Sequence, residues 1–263
     1  MQYAVDGLVI RVSESGENDK RLVLLTPDRG RVSVLAKGAR SLRSKYMHAT
    51  PLFTYGNYEI SDRGGAAWLS GASVIEPFRG LQEDIERLAL ASYLVDVAHE
   101  LSGQDEPAEE LLRLCLNLLF ALANDQKPKA LIKAVFEFRA MSEAGYLPDL
   151  SGCRVCGKQR AAYMYLDVMG GRLTCAECLH SLEARATPAE DEARIETILS
   201  PLGSAALAVA RYVVEVPCEK LLSFSLEDTA IHELGRMSET YLLNHLERSF
   251  PSLEFYKNVT KLL

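Results

Sequence analysis

No apolar run in this sequence reaches the roughly 18–20 uninterrupted residues that a membrane-crossing helix needs, so no transmembrane span is expected. The first ten residues, Met1 to Ile10, include Asp6 and lack a basic start ahead of an apolar core, so they do not read as a secretory leader. The closing Thr260-Lys261-Leu262-Leu263 carries no lipidation signal. Nucleotide cradles are missing as well: there is no Gly-x-x-x-x-Gly-Lys-Ser/Thr and no Gly-x-Gly-x-x-Gly opening a helix after a strand. Neither His-Glu-x-x-His nor Gly-x-Ser-x-Gly occurs. The five histidines (His48, His99, His180, His232, His245) are scattered; His99 and His245 fall on helical stripes, where packing is the ordinary use. Nothing assembles an active site, and the expectation is a protein that is not an enzyme. The single tryptophan, Trp68, begins a strand and reads as core.

What is present fits a folded, cytoplasmic chain. Hydrophobic residues make up 48% and charged residues 25%, ordinary values for a globular protein. At 263 residues there is room for two or three small domains. The net charge of −7 excludes a protein that coats nucleic acid with its whole surface. That average hides an asymmetry. Residues 1–80 hold 11 Lys and Arg against 8 Asp and Glu, a balance of +3, which leaves −10 for the remainder. Between Arg29 and Tyr58 there is no acidic residue, yet Arg29, Arg31, Lys37, Arg40, Arg43 and Lys45 all lie there. An anionic partner would be drawn to that segment.

Short strands dominate the first 77 residues. Gly7–Val12, Lys20–Thr26 and Arg31–Ala36 are apolar, β-branched or alternating, with a polar loop from Ser13 to Asp19. Pro27-Asp28-Arg29-Gly30 is a turn. Leu52–Ile60 and Trp68–Ile75 flank a second turn, Asp62-Arg63-Gly64-Gly65. Five such strands predict an OB-type barrel, since closure removes exposed sheet edges; a five-stranded sheet or an SH3-like barrel fits the pattern nearly as well.

Helical signals follow. Leu81, Ile85, Leu88, Ser92, Val95 and His99 share a face that Leu94, Val97 and Leu101 widen, and Leu111–Leu122 is apolar nearly all round, as in a central helix. Pro128 opens a third helix, which Gly145 closes. After a charged linker, Glu183 to Arg194, Ser200-Pro201 reads as a helix start. Ser225-Leu226-Glu227-Asp228 resembles a capping box ahead of a last long helix with Ile231, Leu234, Met237, Tyr241, Leu242 and His245. The expected class is α+β. A five-stranded OB-type barrel (1–80) precedes an α-helical domain (81–150 and 186–263), into which a zinc finger (151–185) is inserted.

The finger rests on cysteine spacing. Of six cysteines, four form Cys153-x-x-Cys156 and Cys175-x-x-Cys178, 18 residues apart. Two such knuckles close a tetrahedral thiolate shell around one structural Zn2+ per chain, leaving no open coordination position for catalysis. An iron–sulfur cluster and redox thiols are the alternatives. His180, just beyond, reads as a loop histidine.

The segment Lys37-Gly38-Ala39-Arg40-Ser41-Leu42-Arg43-Ser44-Lys45-Tyr46 spaces cations every two to three residues on a loop after the third strand. That suits a phosphate backbone, with Tyr46, or Phe53 or Tyr55 on the next strand, available to stack a base. The DNA-contacting set is therefore Arg29, Arg31, Lys37, Arg40, Arg43, Lys45 and Tyr46.

Several blocks also carry a family resemblance. They are Gly7-Leu8-Val9-Ile10-Arg11, the run from Leu25 to Arg40 ending Ala36-Lys37-Gly38-Ala39-Arg40, Phe136-Glu137-Phe138-Arg139, and Gly145-Tyr146-Leu147-Pro148-Asp149-Leu150 leading into Cys153. Leu199-Ser200-Pro201, His245-Leu246 and Ser252-Leu253-Glu254-Phe255 continue the match. Over nearly its whole length the chain resembles the RecO family of bacterial recombination mediators. The resemblance implies an OB fold, a helical domain and a zinc finger; some members have lost the cysteines, and all four are kept here. It also implies binding of single- and double-stranded DNA, annealing of complementary strands, and work at the nucleoid during repair. Implied partners are RecR, the C-terminal tail of single-strand-binding protein, RecF of the same pathway and, through them, loading of RecA. Family docking on that tail uses the helical domain, where Lys127, Lys129 and Lys133 offer cations to an acidic peptide. The residues alone leave two rivals open, an RNA-binding OB protein and a nucleic-acid enzyme.

Overall fold

The computed structural model describes residues 2–63, 66–184 and 197–262. Residues 64 and 65 of the 62–65 turn and most of the charged linker (Glu183 to Arg194) lie outside the described residues, so neither expectation is addressed. The chain divides into two compact units, Met1–Lys129 with Phe250–Leu263, and Ala130–Ser249.

In the first unit, five strands close a barrel in the order β1-β2-β3-β5-β4. They are β1 (Gln2–Ser15), β2 (Asp19–Thr26), β3 (Gly30–Ala36), β4 (Tyr55–Arg63) and β5 (Ala66–Glu76). β1 is far longer than its apolar stretch. Its first half pairs with β4, its second half with β2, and the register shifts between Val9 and Arg11 where one partner gives way to the other. A bulge at that point bends the strand around the barrel corner. β3 joins β5 in parallel through Leu35 and Trp68, which completes closure. β4 starts at Tyr55 and not at Leu52, because Phe53 turns into the core with φ +68°.

The barrel interior holds Val5, Val9, Leu22, Leu24, Val34, Tyr58, Ile60 and Leu69. On the other face of the sheet, Leu8, Ile10 and Leu25 are just as buried. There α1 (Ile85–Leu101) and α2 (Glu109–Ala123) pack on β1 and β2. The β2–β3 turn is gripped by the loop after α1. Arg31 N–H donates to Gly103 O (2.8 Å), Asp105 N–H to Arg29 O (3.0 Å), and Ala108 N–H to Pro27 O (2.7 Å). Gly30 is required at this grip. Its φ is +57°, and a Cβ there would lie 2.5 Å from Gly103 O.

Helix α1 is buried nearly all round, with Leu90, Tyr93, Leu94 and Val97 fully covered, although Ile85 on its expected inner stripe is half exposed. The face reaches past the expected stripe, through the widening positions Leu94 and Val97 to Leu90 and Tyr93, because the helix is enclosed by the barrel, by α2 and by the C-terminal helix Pro251–Leu262. Tyr93 meets Phe250 edge to face at 5.7 Å.

The second unit contains most of α3 (Lys129–Glu143), which ends as Gly145 takes φ +89° and Tyr146 N–H donates to Met141 O at 2.9 Å. A four-stranded sheet follows in the order β6-β8-β7-β9, made of β6 (Asp149–Cys153), β7 (Tyr163–Asp167), β8 (Arg172–Cys175) and β9 (Leu199–Gly203). Ser200-Pro201 thus belongs to a strand and does not start a helix. Ser200 and Leu202 alternate inward, and an edge strand tolerates proline because not every N–H must donate. α4 (Ala176–Glu183) follows β8, α5 (Ser204–Glu215) follows β9, and α6 (Asp228–His245) follows a short connection. The capping box before α6 does not form, since Glu227 occupies the cap position without a side-chain bond.

A charged cluster lies between α3 and α6. Lys133 Nζ contacts Glu137 (2.7 Å) and Glu239 (2.8 Å), and Ser238 Oγ donates to Glu137 at 2.7 Å. Burial alone would lower the Lys133 pKa; Glu137 and Glu239 outweigh it and hold the value above its usual level. Glu137→Ala is expected to cost about 3–5 kcal/mol in denaturant unfolding, because it strips a partner from a buried ammonium.

Candidate metal centre and nucleic-acid interface

Cys153 ends β6, Cys156 sits on the following turn, Cys175 ends β8 and Cys178 lies in α4. The turn forms because Gly157 N–H donates to Cys153 O (2.8 Å) and Cys153 N–H to Lys158 O (2.9 Å). The four sulfurs lie within 4.8 Å of one another. Cys156 and Cys175 Sγ are 3.8 Å apart, close to the edge, about 3.8 Å, of a tetrahedron with zinc–sulfur bonds of about 2.3 Å. That separation is nearly twice the roughly 2.05 Å of a disulfide.

Electrostatics favour a cation here. Burial raises the Cys153 thiol, but N–H groups of Cys175, Cys156 and Val155 aimed at its sulfur outweigh this and bring its pKa to about 6. Cys178 moves the other way, to about 12, chiefly through hydrogen bonds with Cys175 and Cys156. Backbone N–H groups thus favour the Cys153 thiolate, and a divalent ion would offset the repulsion among sulfurs this close together. Four cysteines fit a structural metal, and the cluster comprises cysteines alone; His180 is exposed on α4.

The basic set separates into two groups. Six strand residues of about 3.3 Å each put Arg31 and Lys37 about 20 Å apart at opposite ends of β3. Arg29 covers the Tyr3 ring at 4.3 Å. Arg31 Nη1 lies 3.2 Å from His99 Nδ1, and its Nε is buried without a hydrogen-bond partner among the described residues. Burial first, then Arg31 and Arg11, lower the His99 pKa, so the ring stays neutral beside two guanidinium groups. Arg31 is thus engaged with α1, and Arg29 with Tyr3 on β1.

Lys37, Arg40, Arg43 and Lys45 share the loop that covers one end of the barrel. Gly38 N–H donates to Asp19 (2.8 Å) and Arg40 N–H to Asn18 O (3.0 Å), which fastens the loop to the β1–β2 turn. Arg40 pairs with Glu14 at 3.1 Å, Lys45 Nζ donates to Ser70 O at 3.0 Å, and Arg43 is exposed. Tyr46 is no stacking platform. Only 5% exposed, it lies in the barrel core and donates its hydroxyl to Leu69 O at 2.9 Å. Phe53 is buried too. Trp68, expected in the core, is instead partly exposed, with Lys37 Nζ 5.1 Å above its ring. Its position at a strand start beside the loop was the available clue.

The three lysines proposed for an acidic peptide do not form an open cationic face. Lys133 is buried in the cluster with Glu137 and Glu239, Lys129 pairs with Asp84 and Glu86, and Lys127 is half-buried. Lys133 and Lys129 are consumed by the carboxylates around them. Among the described residues, no helix is long and apolar enough to cross a membrane.

Two family models match the chain, "Recombination protein O N terminal" over residues 1–78 and "Recombination protein O C terminal" over residues 82–254. A protein named DNA repair protein RecO from Acetivibrio thermocellus is 28% identical over 256 residues, covering 97% of this chain and 96% of its own. One of the same name from Symbiobacterium thermophilum is 30% identical over 258 residues, covering 96% of each chain. A third, from Anaeromyxobacter dehalogenans, is 38% identical over 154 residues, covering 57% of this chain and 60% of its own. With both halves matched, and relatives aligned end to end, the chain belongs to the recombination protein O family, and its role lies in DNA repair and recombination.

Proposed function

We propose that this chain is a non-catalytic mediator that binds single- and double-stranded DNA through the loop from Lys37 to Lys45 and speeds annealing of complementary strands. One observation carries this reading: four cations stand on a braced loop, within a span free of acidic residues, on a chain that is otherwise acidic. Phosphates of two strands on such a surface are partly neutralised, so the strands repel each other less and pair faster. Trp68 is a partly exposed aromatic face beside these cations and takes the base-stacking role first assigned to the buried Tyr46.

Cys153, Cys156, Cys175 and Cys178 would hold one zinc ion, which supplies charge balance and a cross-link to the sheet and no reactive position. In the cell the mediator acts in the cytoplasm, at the nucleoid during repair. With RecR, RecF and single-strand-binding protein it helps place RecA on coated DNA.

Anisotropy of a labelled single strand over a range of salt tests the reading, with Trp68 fluorescence followed in the same titration. Four phosphate contacts are expected to give a log–log slope of about −3, because each contributes about 0.7 on single strands. As the only tryptophan, Trp68 reports contact at the loop directly, and quenching should parallel binding. A slope near zero, or tighter binding to RNA of the same sequence, would overturn the reading.

A further inference from the structure

The loop holds one side chain that the charge argument does not use. Leu42 is 89% exposed at the loop tip, two residues from Arg40 and next to Arg43. A lone exposed leucine is common and needs no explanation by itself. This one is held in place. Ser41 N–H donates to Gly38 O (3.2 Å) and Ser44 N–H to Ser41 O (2.9 Å), so consecutive turns bracket residue 42. Arg43 N–H also donates to Ser41 Oγ (3.3 Å), and Tyr46 N–H to Ser44 Oγ (3.2 Å). Asp19 and Asn18 fix one side of the bracket, and Tyr46 in the barrel core fixes the other. An apolar group fixed between cations would lose little entropy on meeting a ligand that is anionic on one edge and apolar on another.

Single-stranded nucleic acid is such a ligand, with a charged backbone and exposed base faces. We infer that Leu42 is the base-contacting residue of this loop, packing its side chain on the face of an unstacked base while Arg40 and Arg43 hold the flanking phosphates. The inference rests on the DNA-binding reading above. In a duplex the base faces are stacked away, so Leu42 favours single strands over double.

The test compares the full chain with its Leu42→Ala variant on three labelled ligands of equal length: an ordinary single strand, an abasic single strand and a duplex. The variant should bind the ordinary strand roughly fivefold to tenfold more weakly, the equivalent of losing one to two buried methylene groups. Its salt slope and its affinity for the abasic strand should match the parent, because no charge is removed. Leu42→Met should restore most of the loss. Equal binding of parent and Leu42→Ala to the ordinary strand, or an equal loss on the abasic strand, would overturn the inference. A Lys37→Glu, Arg40→Glu, Arg43→Glu variant separates the two levels. If that variant binds like the parent, the loop reading itself falls; if it loses binding while Leu42→Ala does not, only the role of Leu42 falls.

Discussion

The Cys153→Ser variant is expected to lose its metal and to unfold the second unit at markedly lower temperature. Cys153 is one of the two buried cysteines of the cluster, at the end of β6, with Cys175 N–H donating to its sulfur at 3.3 Å. A serine oxygen neither ionises at neutral pH nor binds zinc as a thiolate does. Metal-driven folding amounts to about 10–16 kcal/mol in isolated zinc-finger peptides, and that is the ceiling here. This sheet also has apolar support from Met164, Leu166, Leu173 and Leu202, so a loss of several kcal/mol is expected. The checks are elemental analysis, one zinc per parent chain against none in the variant, and thermal unfolding by circular dichroism. Retention of a full equivalent of metal would remove Cys153 from the ligand set. The basic loop lies in the other unit, so affinity for single-stranded DNA at low temperature should change little.

Charge reversal at Lys37, Arg40 and Arg43 should nearly abolish DNA binding while leaving the fold intact. Each phosphate contact on a single strand is worth about fivefold in affinity at 0.1 M salt, so three lost contacts give on the order of a hundredfold, and the added repulsion gives more. The salt slope should flatten by about 2. All three side chains are exposed at the loop surface, and surface changes of this kind shift stability by no more than about 0.5 kcal/mol each. Lys37→Glu removes a contact with Trp68 and Arg40→Glu faces Glu14, so those two should cost most. Anisotropy titrations at several salt concentrations, beside a melting curve, settle the matter; unchanged affinity would move the DNA surface elsewhere.

The barrel could be read from sequence because its strands alternate and its turn at Pro27–Gly30 uses residues with strong local preferences. The cysteine cluster was legible for a similar reason, since a knuckle is a local object and its spacing is fixed by a few bonds. What could not be read depends on contacts between distant residues. Tyr46 looked like a loop aromatic, but its hydroxyl reaches Leu69 and Ser70 across the barrel. Lys133 looked like a helix-end cation, but Glu239, more than a hundred residues away, is its partner. Ser200-Pro201 satisfied a helix-start rule and was overridden by pairing with β7. Arg31 belonged with the loop cations in sequence, and a strand's length separates them in space.

The first unit is built from two stretches of chain, with residues 130–249 between them. During synthesis the barrel, α1 and α2 leave the ribosome early, but the helix Pro251–Leu262 that covers α1 arrives only after the whole second unit. At about 5–20 residues per second, that delay is about 6–24 s. Through it Tyr93 lacks Phe250, and part of α1 stays open to other chains. Nascent copies on one message are therefore most prone to associate through α1, and a slow codon stretch within 130–249 would lengthen the exposure.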